Sequence, residues 1–252
     1  MPQLDELVDY IDRYLRSKDF KDYCPNGLQV EGRHHVTKLA TGVTASMACI
    51  QAAQAWGADA LLVHHGFFWK GEASQITGIK KNRLKQLLAN EISLLAYHLP
   101  LDAHPVVGNN AQLGLKLGIQ GHEPLHKLTK SAVGNIGLLS ESVSIETLAK
   151  RCQQEFKRQP TVIAAGPEQI RRVAWCTGAA QNMIDAAVSA GADVYISGEI
   201  SEQTVHIARE SGIHYISAGH HATERYGVQA LGNHLDTEFA LEHCFFDIDN
   251  PV

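Results

Sequence analysis

Histidine and carboxylate side chains follow apolar segments of the sequence, at points where strands are predicted to end. The residues concerned are His64, His65, Asp102, His220 and Glu224. In open parallel sheets, ligands collect beyond the carboxyl ends of the strands, so side chains at such ends can meet. If a helix begins near residue 219, His220 and Glu224 lie one turn apart and face the same direction. The pattern is typical of a catalytic or metal-binding site.

These side chains together offer three imidazoles and two carboxylates, a mixed nitrogen and oxygen set that suits Zn, Mn, Fe, Co or Ni. Each cluster alone has an ordinary explanation. A single histidine can be a hydrogen-bonded core residue, Asp102 can be a loop carboxylate or a helix cap, and a histidine one turn from a glutamate can form a surface contact. Three such clusters at three strand ends favour a shared metal site with coordination positions left open.

The composition is that of a globular protein and disfavours several classes of function. Of the 252 residues, 44% are apolar and 19% are charged, enough for one large or two modest domains. A formal net charge of −5, with no block of five lysines or arginines, disfavours a nucleic-acid partner. Five cysteines without close pairing indicate reduced thiols. The N-terminus resembles no secretion signal and no apolar run could span a membrane, so we expect a cytoplasmic protein.

Hydrophobic periodicity predicts an α/β fold. Apolar residues between Leu4 and Leu15 repeat at three and four residues, as in an amphipathic helix. A strand is predicted over Lys38–Val43, and a helix ending near Trp56 follows it. The next run, Ala60–Val63, is fully apolar, which is typical of a strand buried on both faces. We therefore predict mainly parallel or mixed sheets flanked by helices.

The order of elements recurs in the second half of the chain, which predicts an internal duplication. Strands are predicted over Val173–Cys176 and Val194–Ser197, with a helix between them. Gly57-Ala58-Asp59 precedes the Ala60 strand, and Gly191-Ala192-Asp193 precedes the Val194 strand. The dipeptides Thr41-Gly42 and Thr177-Gly178 are each predicted to open a helix.

Three segments follow from this duplication. Residues 1–125 form the first α/β unit, which carries His64, His65 and Asp102. Residues 126–170 form a short connector, in which Ser144 is predicted to cap a helix, and residues 171–252 form the second unit with His220 and Glu224. With no linker-like run in the sequence, the units are expected to pack as one compact body. Asn109 is predicted to cap a helix that contains Leu113 and Leu117.

Four sequence runs resemble the NIF-three-like family, which is also known as the GTP cyclohydrolase I type 2 homologues. They are Asp22–Gly32 (DYCPNGLQVEG), Val63–Gly71 (VHHGFFWKG), His98–His104 (HLPLDAH) and Gly219–Arg225 (GHHATER). The likeness extends from near residue 20 to the C-terminus. The connector is too short for the large domain that many relatives carry between the halves, so the chain resembles the bacterial short form.

The resemblance implies a dinuclear metal centre, with two divalent ions held by His64, His65, Asp102, His220 and Glu224. It also implies a toroidal homohexamer whose metal sites face the interior of the ring. Neither the second ion nor the oligomer follows from composition or spacing.

Other residues near these motifs are weaker candidates. His98 is the candidate catalytic residue, as a partner of a ligand or a proton shuttle beside the metals, and Glu199 is a candidate carboxylate near the site. Lys70 and Arg225 could attract an anionic substrate or could be solvated cations. Phe67–Trp69 are predicted to be core or subunit contacts.

Two functions are open. The first is a metal-dependent hydrolase, in which a metal-activated water attacks a nucleotide-like substrate. The family name points to the purine ring of GTP, whereas two-metal geometry fits phosphoester hydrolysis equally well, and the sequence contains no GxxxxGK[ST] motif. The alternative is a protein that stores or delivers metal, or a ring-shaped scaffold without catalysis.

Overall fold

The computed structural model describes residues 1–125 and 133–252, and within these ranges the chain forms two compact units. The first unit comprises residues 1–101 and 227–249, and the second comprises residues 102–226 and 250–252. The predicted division at 125 and 170 follows the order of the sequence, whereas the observed units follow strand pairing. Residues 126–132, at the start of the predicted connector, lie outside the described residues. That the units pack as one body stays a prediction.

Strands and helices alternate along most of the described chain. The strands are β1 (Gly27–Val30), β2 (Lys38–Thr44), β3 (Ala60–His65), β4 (Ser93–Ala96), β5 (Ile119–Pro124), β6 (Asn135–Val143), β7 (Thr161–Ile163), β8 (Ile170–Cys176), β9 (Val194–Ser197), β10 (His214–Ser217) and β11 (Glu242–Phe245). The helices are α1 (Leu4–Leu15), α2 (Met47–Trp56), α3 (Gly78–Ala89), α4 (Leu99–Ala103), α5 (Asn109–Lys116), α6 (Ile145–Phe156), α7 (Ile184–Ser189), α8 (Glu202–Ser211), α9 (His220–Thr223) and α10 (Arg225–Phe239). Short 3₁₀ turns cover Ser17–Asp19 and Gln181–Met183.

The first unit contains a five-stranded sheet in the order β1-β4-β3-β2-β11. Strands β4, β3, β2 and β11 are parallel, and β1 pairs antiparallel with β4 at one edge. The central strand β3 is buried along Ala60–His64, which explains its unbroken apolar sequence. Because β11 pairs with β2, residues 227–249 belong to the first unit although they follow the second in the sequence.

The second unit contains a six-stranded sheet in the order β5-β6-β8-β9-β10-β7. Strands β8, β9 and β10 are parallel, while β5, β6 and β7 join by antiparallel pairing. Much of the predicted connector therefore belongs to this sheet, through β6 and β7. The expected fold class, an α/β protein with mixed sheets flanked by helices, is confirmed.

The duplication appears as a repeated set of hydrogen bonds at one aspartate in each unit. The carboxylate of Asp59 accepts the backbone N–H groups of Thr37 and Lys38, which lead into β2. The carboxylate of Asp193 likewise accepts the N–H groups of Arg171 and Arg172 in β8. Asp59 directly precedes β3, and Asp193 directly precedes β9. In each unit the aspartate therefore links the starts of two neighbouring parallel strands.

One predicted helix start is confirmed and the others are wrong. The Ser144 side chain caps α6 by accepting the N–H of Thr147. Asn109 is not a cap: Gly108 is the N-cap of α5, and the Asn109 side chain is used elsewhere. Thr41-Gly42 lies inside β2 because the strand continues to Thr44, so it opens no helix. Thr177-Gly178 ends three residues before a 3₁₀ turn.

Apolar side chains from the helices cover the sheets within each unit. In the first unit, Ile50 and Ala53 of α2 and Leu87 of α3 pack with the apolar residues of β3 and β4. In the second, Trp175 of β8 is fully buried among residues of α5 and α6. All five cysteines are free, as expected. No helix in the described ranges is both long and apolar enough to cross a bilayer.

Candidate metal centre

His64 and His65 are the last two residues of β3 in the first unit, whereas the sequence placed them just after the strand. Thr44 pairs with His65 across the sheet, so the strand continues through both histidines. His64 is fully buried and His65 is half-buried. Adjacent residues of a strand normally point to opposite faces of the sheet. The ring centroids of His64 and His65 nevertheless lie only 4.5 Å apart, at the end of β3.

A backbone carbonyl fixes the protonation of His64. Its Nδ1 lies 2.9 Å from the carbonyl oxygen of Tyr97, directly after β4. A carbonyl oxygen can only accept, so Nδ1 carries the proton and Nε2 carries the lone pair. This tautomer is the one in which Nε2 can bind a metal ion.

The imidazoles of His65 and His98 also have an oxygen atom beside Nδ1. His65 Nδ1 lies 3.2 Å from the hydroxyl oxygen of Thr44, and His98 Nδ1 lies 2.7 Å from Asp22 Oδ1. Donor atoms of His64, His65 and His98, one from each ring, lie within 4.8 Å of one another. The half-buried ring of Trp69 borders this group, 5.0 Å from the His98 ring in a T-shaped contact.

Asp22, which the sequence analysis did not single out, is the acceptor that holds His98. Its side chain is only 2% exposed and also accepts the N–H of Leu99 and the side-chain N–H of Asn26. Burial by itself would raise the pKa of Asp22, but hydrogen bonds from His98, Asn26 and the Tyr23 N–H lower it to about 2. Asp22 is therefore a carboxylate at neutral pH. Its place in the DYCPNGLQVEG run was the available signal.

In the second unit, Asp102 lies in the short helix α4 and is buried. Its Oδ1 accepts hydrogen bonds from the Asn109 amide at 2.9 Å and from the Thr177 hydroxyl at 3.2 Å. Asn110 continues the framework, because its Oδ1 accepts the N–H of Thr177. These bonds orient the carboxylate, and they explain why Asn109 does not cap α5.

His220 lies between two carboxylates of the second unit. Its Nδ1 is 2.7 Å from Glu199 Oε1, and its Nε2 is 3.1 Å from Glu224 Oε2. Burial would lower the pKa of His220, but Glu224 and then Glu199 raise it to about 9. Glu199, the weaker sequence candidate, thus lies behind the histidine, and Glu224, one turn along the chain, lies beside its other nitrogen.

A glycine makes room for Glu224. Gly178 has a φ of +68°, and a Cβ atom there would overlap Glu224 Oε1 and lie 3.3 Å from His220 Nε2. Thr177, the preceding residue, donates to Asp102. The two residues after β8 therefore each lie against one predicted carboxylate ligand. Thr177 lies against Asp102, and Gly178 lies against Glu224.

Comparison with known proteins identifies the family. A sequence model of the Duf34/NIF3 (NGG1p interacting factor 3) family matches residues 2–251. The chain belongs to this family. A relative named GTP cyclohydrolase 1 type 2 homolog, from Pseudomonas aeruginosa, is 54% identical over 249 residues, covering 99% of this chain and 98% of the relative.

Two solved structures of similar sequence have the same fold. The protein ybgI, described as of unknown function, is 49% identical with a TM-score of 0.95, over 99% of this chain and 100% of that chain. TTHA1606 from Thermus thermophilus is 36% identical with a TM-score of 0.91, over the same shares. The resemblance noted in the sequence is thus confirmed for the full length of this DUF34/NIF3 chain.

The predicted site residues of this DUF34/NIF3 protein fall into two groups. His64 and His65 lie with His98 in the first unit, and Asp102, His220 and Glu224 lie in the second, although Asp102 was predicted in the first. Zn, Mn, Fe, Co and Ni sites are built from imidazoles and carboxylates. In such sites one nitrogen of each imidazole is typically hydrogen-bonded to an oxygen atom. The residues therefore fit divalent metal ions.

The remaining candidates have different surroundings. Phe67 packs in the core of the first unit, as expected, whereas Phe68 is exposed. Lys70 is exposed. Arg225 is half-buried, and its guanidinium lies 5.9 Å from the ring of Tyr226. A role for Lys70 or Arg225 in attracting an anionic substrate stays a prediction.

Proposed function

We propose that this protein is a dinuclear metal-dependent hydrolase that acts on a nucleotide-like substrate. The proposed ligands of the two divalent ions are His64, His65, Asp102, His220 and Glu224. One observation carries the proposal: Nδ1 of each histidine in this set lies within 3.2 Å of an oxygen atom. Metal-binding histidines are typically held in this way, with the second ring nitrogen directed to the metal.

The protein's own residues supply orientation and exclude water. Glu199 holds the His220 ring, the Tyr97 carbonyl holds the His64 ring, and Asn109 and Thr177 hold Asp102. Divalent ions bound by such residues act as Lewis acids on substrate oxygens and lower the pKa of water. The burial of His64, Asp102 and Glu224 keeps their ligand atoms in surroundings of low polarity, where electrostatic stabilisation is strongest. His98 as a proton carrier stays a prediction.

The substrate class rests on the names of the relatives. Similar proteins are named GTP cyclohydrolase 1 type 2 homolog, and we extend the substrate class implied by that name to this chain. The proposed reaction is hydrolysis of a purine nucleotide at its imidazole ring. Two divalent ions would also suit an in-line attack on a phosphodiester, so both substrate types belong in the test.

The test begins with the metal content of the purified protein. We expect two divalent ions per chain by elemental analysis, with fewer in His64→Ala and Asp102→Ala and no change in His206→Ala, which alters an exposed histidine on α8. A panel of GTP, other nucleotides and phosphodiesters is then assayed. Turnover lost on chelation and in Glu224→Ala supports the hydrolase. Metal-loaded protein that turns over no member of the panel yet exchanges its metal readily contradicts the hydrolase and favours metal storage or delivery.

A further inference from the structure

Arg158 of the second unit lies at the end of the sheet where ligands are expected to bind. It belongs to the short segment between α6 and β7. Strand β7 pairs antiparallel with β10, and its first residue, Thr161, lies opposite Ser217, the last residue of β10. The start of β7 is therefore beside the carboxyl end of β10, from which the chain continues to His220. Ligands of open sheets collect beyond the carboxyl ends of the parallel strands.

The side chain of Arg158 packs against the backbone of Gly219, the residue before His220. A Cβ atom on Gly219 would overlap Nη1 of Arg158 and lie 2.7 Å from its Cδ and 3.0 Å from its Cζ. Gly219 also has a φ of +104°, a backbone conformation that residues with a side chain rarely adopt. The glycine therefore allows the guanidinium to lie beside the backbone that leads to a proposed metal ligand.

The Arg158 guanidinium has no hydrogen bond or ion pair with any other described residue. The carboxylate of Glu155, on the last turn of α6, is 3.8 Å from Lys116 Nζ instead. A cation after a helix can interact with the carbonyl groups at the helix end, but no described carbonyl oxygen accepts a hydrogen bond from Arg158. The side chain is half-buried, so its position is restricted while its N–H groups keep their hydrogen-bonding capacity.

An unpaired guanidinium is suited to a phosphate group. Its planar set of N–H donors matches two phosphate oxygens at once, and its charge is permanent. The neighbouring side chains Asp102, Glu199 and Glu224 are carboxylates, which repel an anionic substrate. A nucleotide therefore needs a cation to hold its phosphate groups while its purine ring approaches these carboxylates and their metal ions.

We propose that Arg158 binds the phosphate groups of the nucleotide-like substrate and so selects a nucleotide over the nucleoside. This inference rests on the proposed function and specifies the part of the substrate that the protein recognises away from the reacting ring. Arg158 makes the same contact in the ground state and in the transition state. Its loss should therefore raise KM and leave kcat almost unchanged.

The test measures the Kd of metal-loaded protein for 7-deaza-GTP and for 7-deazaguanosine by calorimetry. In both compounds a carbon atom replaces one nitrogen of the imidazole ring, so the ring is not hydrolysed during the measurement. Arg158→Gln should weaken binding of 7-deaza-GTP about 10- to 100-fold and leave binding of 7-deazaguanosine unchanged. Arg158→Lys should fall between the two, because it keeps the charge but loses the paired donors. Arg209→Gln, which alters an exposed arginine on α8, is the matched control.

Metal content separates a binding residue from a structural one. If Arg158→Gln loses metal together with affinity for both compounds, the residue acts through Gly219 and the inference is overturned. Equal affinity for 7-deaza-GTP in Arg158→Gln and Arg209→Gln also overturns it. If Arg158→Gln does not fold, Arg158→Lys against Arg209→Gln decides the question in the same way.

Failure of the proposed function gives a different result. Protein that hydrolyses no member of the substrate panel, yet binds 7-deaza-GTP in a manner that depends on Arg158, contradicts the hydrolase and supports the phosphate site. Protein that hydrolyses a nucleotide with the same KM in Arg158→Gln and the wild type supports the hydrolase and overturns the phosphate site.

Discussion

At the scale of single residues, the space around Glu224 depends on Gly178. The backbone there has a positive φ, and the absence of a side chain leaves room for the Glu224 carboxylate next to His220. Gly191, before β9, has nearly the same φ of +69° but no atom within 4 Å of the position of a Cβ. The two glycines therefore share a backbone requirement, and only one of them has a steric requirement.

This difference gives a matched pair of variants. Both Gly178→Ala and Gly191→Ala should lower the free energy of unfolding by about 1–2 kcal/mol, because each places a side chain in the left-handed region. Only Gly178→Ala should also lose bound metal, since its methyl group displaces Glu224. Urea unfolding of the metal-free proteins and elemental analysis measure the two effects. Equal metal content in both variants would show that Glu224 does not bind the ion.

A second prediction at this scale concerns Glu199. Replacement by Gln keeps a hydrogen-bond acceptor near His220 Nδ1 but removes the negative charge, so affinity for one ion should fall about 10- to 100-fold. Chelator competition measures the loss, with Glu202→Gln on the exposed start of α8 as the control. Identical affinities in Glu199→Gln, Glu202→Gln and the wild type would contradict a role for Glu199 in holding the ligand.

At the scale of elements, the aspartate before each central strand joins two strands of its sheet. Burial by itself would raise the pKa of Asp59, but hydrogen bonds from Lys38, Thr37 and Arg33 lower it. A carboxylate with a lowered pKa stabilises the folded state at pH values above its ordinary pKa. That contribution disappears as the pH falls through the lowered pKa of the folded state.

Asp59→Ala should therefore lower the free energy of unfolding by about 1–3 kcal/mol at pH 7, because two backbone N–H groups lose a charged acceptor. The difference from the wild type should shrink as the pH falls below the ordinary pKa of an aspartate, about 3.9. Urea unfolding at several pH values measures it, and Asp249→Ala, an exposed carboxylate, is the control. A difference that stays constant down to a pH of about 2.5, well below that ordinary value, would be the contrary result.

The elements of the site were predictable from sequence where the signal was local. The apolar runs before His64 and His220 predicted strands correctly. Glu199, a weaker candidate in the sequence, lies beside His220. The partner of His98 was missed, because Asp22 lies 76 residues away and its place in the DYCPNGLQVEG run marks it as a candidate without specifying which ring it binds. The role of Asn109 was also missed, since a side chain that can cap a helix can equally bind a carboxylate seven residues earlier.

At the scale of the whole molecule, strand pairing rather than sequence order determines which residues belong together. Strand β11, near the C-terminus, pairs with β2, and β6, inside the predicted connector, pairs with β8. Periodicity can identify such strands but cannot give their partners, because an apolar strand fits against many others. For this reason the boundaries of the two units could not be predicted from the sequence.

The assembly is a separate prediction at this scale. The family resemblance implies a toroidal homohexamer, so sedimentation velocity of the purified protein should give a species six times the mass of the chain. The species should persist in metal-free protein if subunit contacts lie outside the metal centre. A monomer at micromolar concentration would show that the hexamer does not extend to this chain.

The most direct measurement for the account is a crystal structure of metal-loaded protein with anomalous scattering recorded at the absorption edge of the bound metal. We predict two anomalous peaks per chain, with His64, His65, Asp102, His220 and Glu224 among the bonded residues. The proposed metal centre would be contradicted if metal-containing protein showed no anomalous peak at these side chains. Peaks bonded only to other residues would contradict it equally.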